Sequence, residues 1–229
     1  MGATAHGRRF CGGVGFGFRQ PVSLPVIANT RPLGNDERVD LPVNPPVQPM
    51  LAKAVTAVPD QPAEGPVWSY EPKWDGFRAL IFRDGDEVVM ASRGGKDLAR
   101  YFPEIVEAAR VSLPERVVLD GEVAVARPVD GVNRLDWDSL SQRIHPAQSR
   151  VTKLSQETPA VFIGFDALAL GDTDLTGEPF EVRRRALVEA AADAGDPRIQ
   201  VSRVTRDAEQ ARAWFTEFEG AGLDGVVAK

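Results

Sequence analysis

Apolar and polar positions alternate in short bursts through most of the chain. Residues 67–71, 77–83 and 87–92 carry aromatic and β-branched side chains at the spacing of strands. Asp84-Gly85-Asp86 between the last two runs predicts a hairpin. Asp75-Gly76 between the first two predicts a strand-turn-strand unit with Lys73 at its tip and Arg78 opening the return strand. Residues 98–110 change to a helical period, with Leu98, Phe102, Ile105 and Val106 on one stripe. A β-rich run over residues 116–126 is interrupted by Asp120-Gly121-Glu122, and acidic groups among Val and Leu are costly without partners. Residues 136–143 read as a short helix, and 161–170 as an apolar strand carrying Phe165 and Asp166. A helix is predicted over 179–194, with proline near its start and Gly195 just past its end. Another covers 207–219 and buries Ala211, Trp214, Phe215 and Phe218, and Val226-Val227 begin a final strand. Hairpins with interspersed helices predict an α+β fold, mainly antiparallel β-sheets with flanking helices.

The first 40 residues break this pattern. They are rich in Gly and Pro, with no sustained period, and are expected to form a disordered or poorly ordered extension. Arg8-Arg9 precedes an apolar run too short and too glycine-rich for an export signal. Residues 41–52 read as an extended, proline-rich lead-in, which puts the start of the folded domain, 41–229, near Leu41.

Composition narrows the chemistry. The 229 residues carry a formal net charge of −6, so any polynucleotide contact must come from a local basic patch. Arg143, Arg150 and Lys153 are candidates, as is the triplet Arg183-Arg184-Arg185, and both sets equally fit solvated helix faces. One cysteine, Cys11, excludes an internal disulfide, and two histidines beside it make a zinc cage a poor expectation. A metal would be a hard cation held by carboxylates and phosphates. No stretch reaches transmembrane length.

The candidate chemistry centres on Glu71-Pro72-Lys73-Trp74-Asp75-Gly76-Phe77-Arg78. Downstream, in order, come Ser92-Arg93, Asp120-Gly121-Glu122, Phe165-Asp166 and Asp224-Gly225-Val226-Val227-Ala228-Lys229. This series resembles the covalent nucleotidyltransferases, and most closely the ATP-dependent DNA ligases of the compact bacterial type, over residues 41–229. The Pro-Met-Leu-Ala run at 49–52 is similar to the family's lead-in. The resemblance implies an ATP-grasp-like adenylation domain in which Lys73 attacks the α-phosphorus of ATP to give lysyl-AMP. It implies that Glu71 reads the adenine amino group and that Phe165 stacks on the base. Arg78 and Arg93 would meet ribose, phosphates or the nicked strand, and Glu122 the ribose or the metal. Asp224, where the family usually has glutamate, would help to bind Mg2+ or Mn2+, and Lys229 would favour phosphate binding. Arg78 and Lys229, with the metal, would hold Lys73 in one electropositive pocket and disfavour its ammonium form.

The implied partner is nicked double-stranded DNA, with possible repair proteins, no membrane, a monomeric state and a cytoplasmic, nucleoid-associated setting. The family's next motif, with two further lysines, and its oligonucleotide-binding-fold domain are absent from residues 1–229. The chain is therefore expected to be C-terminally incomplete, to self-adenylate slowly and not to seal nicks alone. Two other functions fit the motifs: an RNA ligase or GTP-using capping enzyme, and a catalytically silent nucleotide- or DNA-binding module.

Overall fold

The computed structural model describes residues 38–129, 132–217 and 223–229. The extension expected over residues 1–40 lies, up to residue 37, outside the described residues, as do Phe218 and the side chain of Phe215. The elements run β1 (Tyr70–Trp74), β2 (Phe77–Asp84), β3 (Glu87–Ser92), α1 (Pro103–Ser112), β4 (Arg116–Val129), β5 (Val132–Leu135), α2 (Trp137–Gln142), α3 (Gln148–Glu157), β6 (Ala160–Leu170), β7 (Thr173–Asp174), α4 (Phe180–Ala190), β8 (Ile199–Val201), α5 (Ala208–Glu217) and β9 (Leu223–Ala228). A seven-stranded sheet has the order β3-β2-β4-β6-β7, with β5 against β4 and β8 against β6. Only the β6–β8 pair is parallel, so the expected α+β fold with mainly antiparallel sheets is the fold observed. A separate two-stranded sheet joins β1 to β9.

That second sheet corrects one expectation. β1 and β2 do not form a hairpin with Lys73 at its tip; they belong to different sheets, and Asp75-Gly76 is the corner between them. Gly76 is required there by close approach, since a Cβ on it would lie 2.3 Å from the Val123 carbonyl oxygen of β4.

Alternation along β2 divides the core. Phe77, Ala79 and Ile81 join the large cluster beneath α1, which includes Phe102, Ile105, Val123, Phe162 and Leu187. Leu80 and Phe82 point to the other face, which the extended lead-in covers with Val39, Leu41 and Val43. Tyr70, Ala211 and Trp214 form a third cluster that seats α5 on the two-stranded sheet. The helix expected over 98–110 is split: residues Ala99–Tyr101 make a 3-10 turn, and Pro103, which lacks an N–H, starts α1. Asp136 caps α2 by accepting from the Ser139 N–H and hydroxyl. The segment after α2 contains α3, which the sequence pattern did not mark. No helix among the described residues is long and apolar enough to cross a membrane.

Arg143 departs from its expected role in DNA contact. Its side chain is fully buried, with Nη1 and Nη2 donating to the two carboxylate oxygens of Glu104 at 2.5 and 2.9 Å. Further bonds reach the Tyr101 and Thr158 carbonyls, and the guanidinium lies over the Phe102 ring. Glu104 also accepts from the Ala160 N–H, so the pair ties α1 to the start of β6. Removing one partner of such a pair strands a buried charge. Arg143→Ala should therefore lower the unfolding free energy by about 3–5 kcal/mol in urea titration. A loss below about 1 kcal/mol, the size of an exposed pair, would show that the contact does not hold this end of the core.

Candidate active site

The two-stranded sheet meets the large sheet along a groove marked by side-chain contacts, where Lys229 reaches Phe165. Ser69, Glu71 and Lys73 alternate onto one side of β1 and the residue before it. The register Lys73↔Gly225 and Glu71↔Val227 sets which β9 groups face them. Lys73 Nζ is 2.6 Å from Asp224 Oδ2, and both side chains are about half exposed, at 49% and 52%. Glu71 is buried at 2% exposure, with its Oε2 3.0 Å from Lys229 Nζ. Its other oxygen, Oε1, is buried with no hydrogen-bond partner. Burial raises the Glu71 pKa, and the Lys229 ammonium opposes the rise.

The other wall comes from the large sheet. Arg78 stands opposite Glu122 in the β2–β4 register and reaches diagonally to Asp120 with a two-pronged bond, Nε to Oδ1 at 3.0 Å and Nη2 to Oδ2 at 2.6 Å. Its Nη1 donates to the Met50 carbonyl, which brings the end of the lead-in to the groove. A register shift between Asp120 and Gly121 lets β4 pass β6 closely; a Cβ on Gly121 would meet the Phe162 ring at 2.4 Å. Phe165 is half-buried, not core, and two cations approach its ring, Arg78 Cζ at 5.3 Å and Lys229 Nζ at 4.8 Å from the centroid. Asp166 is turned away and takes a two-pronged bond from the buried Arg183. That contact removes Arg183 from the expected basic patch, because its charge is spent inside the fold.

Charge is balanced pair by pair. The electropositive pocket expected around Lys73 is not what the groove presents: Lys73 faces Asp224, Arg78 faces Asp120, and Lys229 faces Glu71. Half-buried cations need such partners. Lys229 bonds the Phe165 carbonyl as well and sits opposite Ser69, about 13 Å along the strand from Lys73 at about 3.3 Å per residue. Its ammonium is held by Glu71 and the Phe165 carbonyl. Arg93 is exposed on the turn after β3, and Arg150 and Lys153 lie on the exposed side of α3, with Lys153 3.7 Å from Glu157. Among the described residues, no three His, Cys, Asp or Glu side chains converge as a metal cluster. Glu122 and Asp224 both face Lys73, the first through its electrostatic influence and the second by direct contact. Two carboxylates completed by substrate phosphates fit the way Mg2+ is commonly held.

Comparison with known proteins bears on the same residues. A family profile described as "ATP dependent DNA ligase domain" matches residues 49–229. The chain belongs to the ATP-dependent DNA ligase family. It is 61% identical over 191 residues to DNA ligase C1 of Mycolicibacterium smegmatis, covering 83% of this chain and 53% of that protein. It is 55% identical over 194 residues to DNA ligase C of Mycobacterium tuberculosis, covering 83% and 51%. Among solved structures it resembles a mycobacterial DNA ligase D complexed with ATP and MES, at a TM-score of 0.56 and 28% identity, over 79% of this chain and 53% of that one. The chain thus spans about half the length of the curated relatives it matches.

Glu122 carries a large shift. Burial pushes its carboxyl up to about 8, with Arg78 opposing and Asp120 adding to the rise. Between the unfolded value near ~4.3 and about 8, the folded chain then holds a proton that the unfolded chain has lost. Stability contributed at this position must fall as pH rises through that window and level off above it. Glu122→Gln, which stays neutral, should gain on the parent from pH 5 to pH 8 by on the order of a few kcal/mol in urea unfolding. Parallel pH profiles for the two proteins would contradict this shift.

Proposed function

We propose that this chain supplies the adenylation step of a DNA ligase: Lys73 attacks the α-phosphorus of ATP, and the AMP then passes to the 5′-phosphate of nicked duplex DNA. The observation that carries the reading is the groove's contents, a half-exposed lysine amine at one end and a partnerless buried acceptor beside an ammonium at the other. In the reaction the Nζ–P bond forms as the bond from the α-phosphorus to the pyrophosphate oxygen breaks. Nζ must lose its ammonium proton first, and Asp224 Oδ2 at 2.6 Å is the acceptor nearest to it.

The base end reads adenine by pattern. Adenine presents an amino donor next to a ring-nitrogen acceptor. Glu71 Oε1 offers an acceptor, and the Lys229 ammonium offers a donor beside it. Guanine presents the reverse order, an acceptor and then a donor, and would set like against like at both positions. Phe165 provides the stacking face. Arg78, fixed by Asp120 and the Met50 carbonyl, is placed to meet the sugar or phosphates. Glu122 and Asp224 would hold Mg2+ or Mn2+ together with phosphate oxygens, and the ion would offset charge on the leaving pyrophosphate. Arg93, Arg150 and Lys153 remain as exposed cations for the phosphates of nicked DNA. The whole ligase works as a monomer on cytoplasmic DNA, alongside repair proteins, with residues 41–229 as its adenylation domain.

Incubation with labelled ATP or GTP and magnesium, followed by denaturing electrophoresis, tests this reading. Label retained from ATP alone is expected. GTP label would favour a capping-type enzyme, and no label from either a silent binding module. Glu71→Ala should raise the ATP concentration needed for half-maximal labelling about 10- to 100-fold, the scale of one charge-assisted hydrogen bond, while the rate at saturation changes little. Loss of rate with an unchanged ATP requirement would remove Glu71 from base reading.

A further inference from the structure

Beyond the residues that meet the nucleotide, the groove's width must itself be fixed, because its walls belong to two different sheets. The segment from Ser202 to Thr205 spans them. It leaves β8, which pairs with β6 next to Phe165, and ends against Tyr70 of β1. Ser202 N–H donates to the Gly164 carbonyl at 2.8 Å, on the strand that carries Phe165. Tyr70 and Thr205 exchange backbone bonds of 2.8 and 3.0 Å, on the strand that carries Glu71 and Lys73.

Side chains tie the same point twice more. Trp74, directly after the nucleophile, donates its Nε1–H to Ser202 Oγ at 3.0 Å. Arg184 of α4 donates from Nη2 to the Ser202 carbonyl at 2.7 Å. Ser202 is 1% exposed, so its own atoms in these bonds are withdrawn from water. Packing does not do the same work. Beside the segment is a cavity of about 320 Å³ lined by Ser69, Phe180, Arg184, Val204 and Arg206. A gap of that size leaves the wall free to relax if the polar bonds are lost.

We propose that Ser202 is a positioning residue for nucleotide choice: with Trp74 and Arg184 it braces the strand of Glu71 against the strand of Phe165, so that a base stacked on Phe165 presents its edge at hydrogen-bonding distance from Glu71 and Lys229. The inference rests on the base-reading role of Glu71 given above. Discrimination of this kind is a difference between two affinities, and a shift of a few tenths of an ångström in β1 weakens the matched base far more than the mismatched one. Arg184 contributes a second effect, since its positive charge favours the ionised, acceptor-only form of the buried Glu71.

Equilibrium binding of ATP and GTP to the full chain, measured by calorimetry, tests the brace without requiring turnover. Ser202→Ala removes the hydroxyl acceptor, and Trp74→Phe removes only the indole donor while keeping an aromatic ring, which guards against loss of the fold. Each is expected to weaken ATP about tenfold and to leave GTP within about twofold, about what one shielded hydrogen bond is worth. Because both remove the same bond, the double variant should match either single one within about twofold. An ATP-to-GTP ratio unchanged in folded Trp74→Phe, or a double effect equal to the product of the singles, would overturn the proposal. Glu71→Ala in the same assay separates the premise. If it keeps the parental ratio, Glu71 does not read the base; if it collapses the ratio while Trp74→Phe does not, the brace alone fails.

Discussion

The pairing of β1 with β9 is the constraint on which the site depends. These strands come from positions more than 140 residues apart and form a sheet of their own, so the groove exists because they are not absorbed into the larger one. Their register puts Asp224 beside Lys73 and Lys229 beside Glu71. A slip of one residue would turn Glu71 and Lys73 from the groove toward α5 and bring Tyr70 out of the cluster that seats that helix. The hydrophobic contact of Tyr70 with Ala211 and Trp214 therefore fixes the register of Glu71 and Lys73 on the opposite side of the same strand.

Electrostatics within the groove follow from half-burial. Three cations each face a carboxylate, which holds the side chains in place before any nucleotide arrives. Two carboxylates stand apart: Glu71, whose buried Oε1 has no hydrogen-bond partner, and Glu122, whose carboxyl burial pushes up to about 8. Buried acceptors without donors are uncommon in folded proteins, and Glu71 Oε1 marks where a ligand would complete the bonding.

Much of this was legible in the chain. The strands over 77–83, 87–92, 116–126 and 161–170 and the helix before Gly195 follow from periodicity and turn residues, because half-buried surfaces impose those patterns. The motif series located Glu71, Lys73, Arg78, Glu122 and Phe165, and the structure gathers all five along the groove. Partner choice was less legible. Nothing local to Asp75-Gly76 says that the strand before it pairs with the last strand and not the next one, since a long-range register leaves no short-range signal. Arg143, within a basic-looking run, is a core residue because Glu104, 39 positions earlier, meets it. Lys229 closes its motif two residues after Val227, and only the antiparallel pairing shows that it meets Glu71 and Phe165. Ser202 bore no mark at all; a lone serine after a three-residue strand becomes significant only when Trp74 and Gly164 are seen on either side of it.

The proposed function requires that Lys73 meet the α-phosphate. Peptide mapping by mass spectrometry, after incubation with ATP and magnesium, tests it at the level of one atom. A single AMP adduct is expected on the peptide containing Glu71-Pro72-Lys73-Trp74, labile in acid as a phosphoramidate is, and missing from Lys73→Ala. An adduct on any other lysine, or an equal adduct in Lys73→Ala, would contradict it.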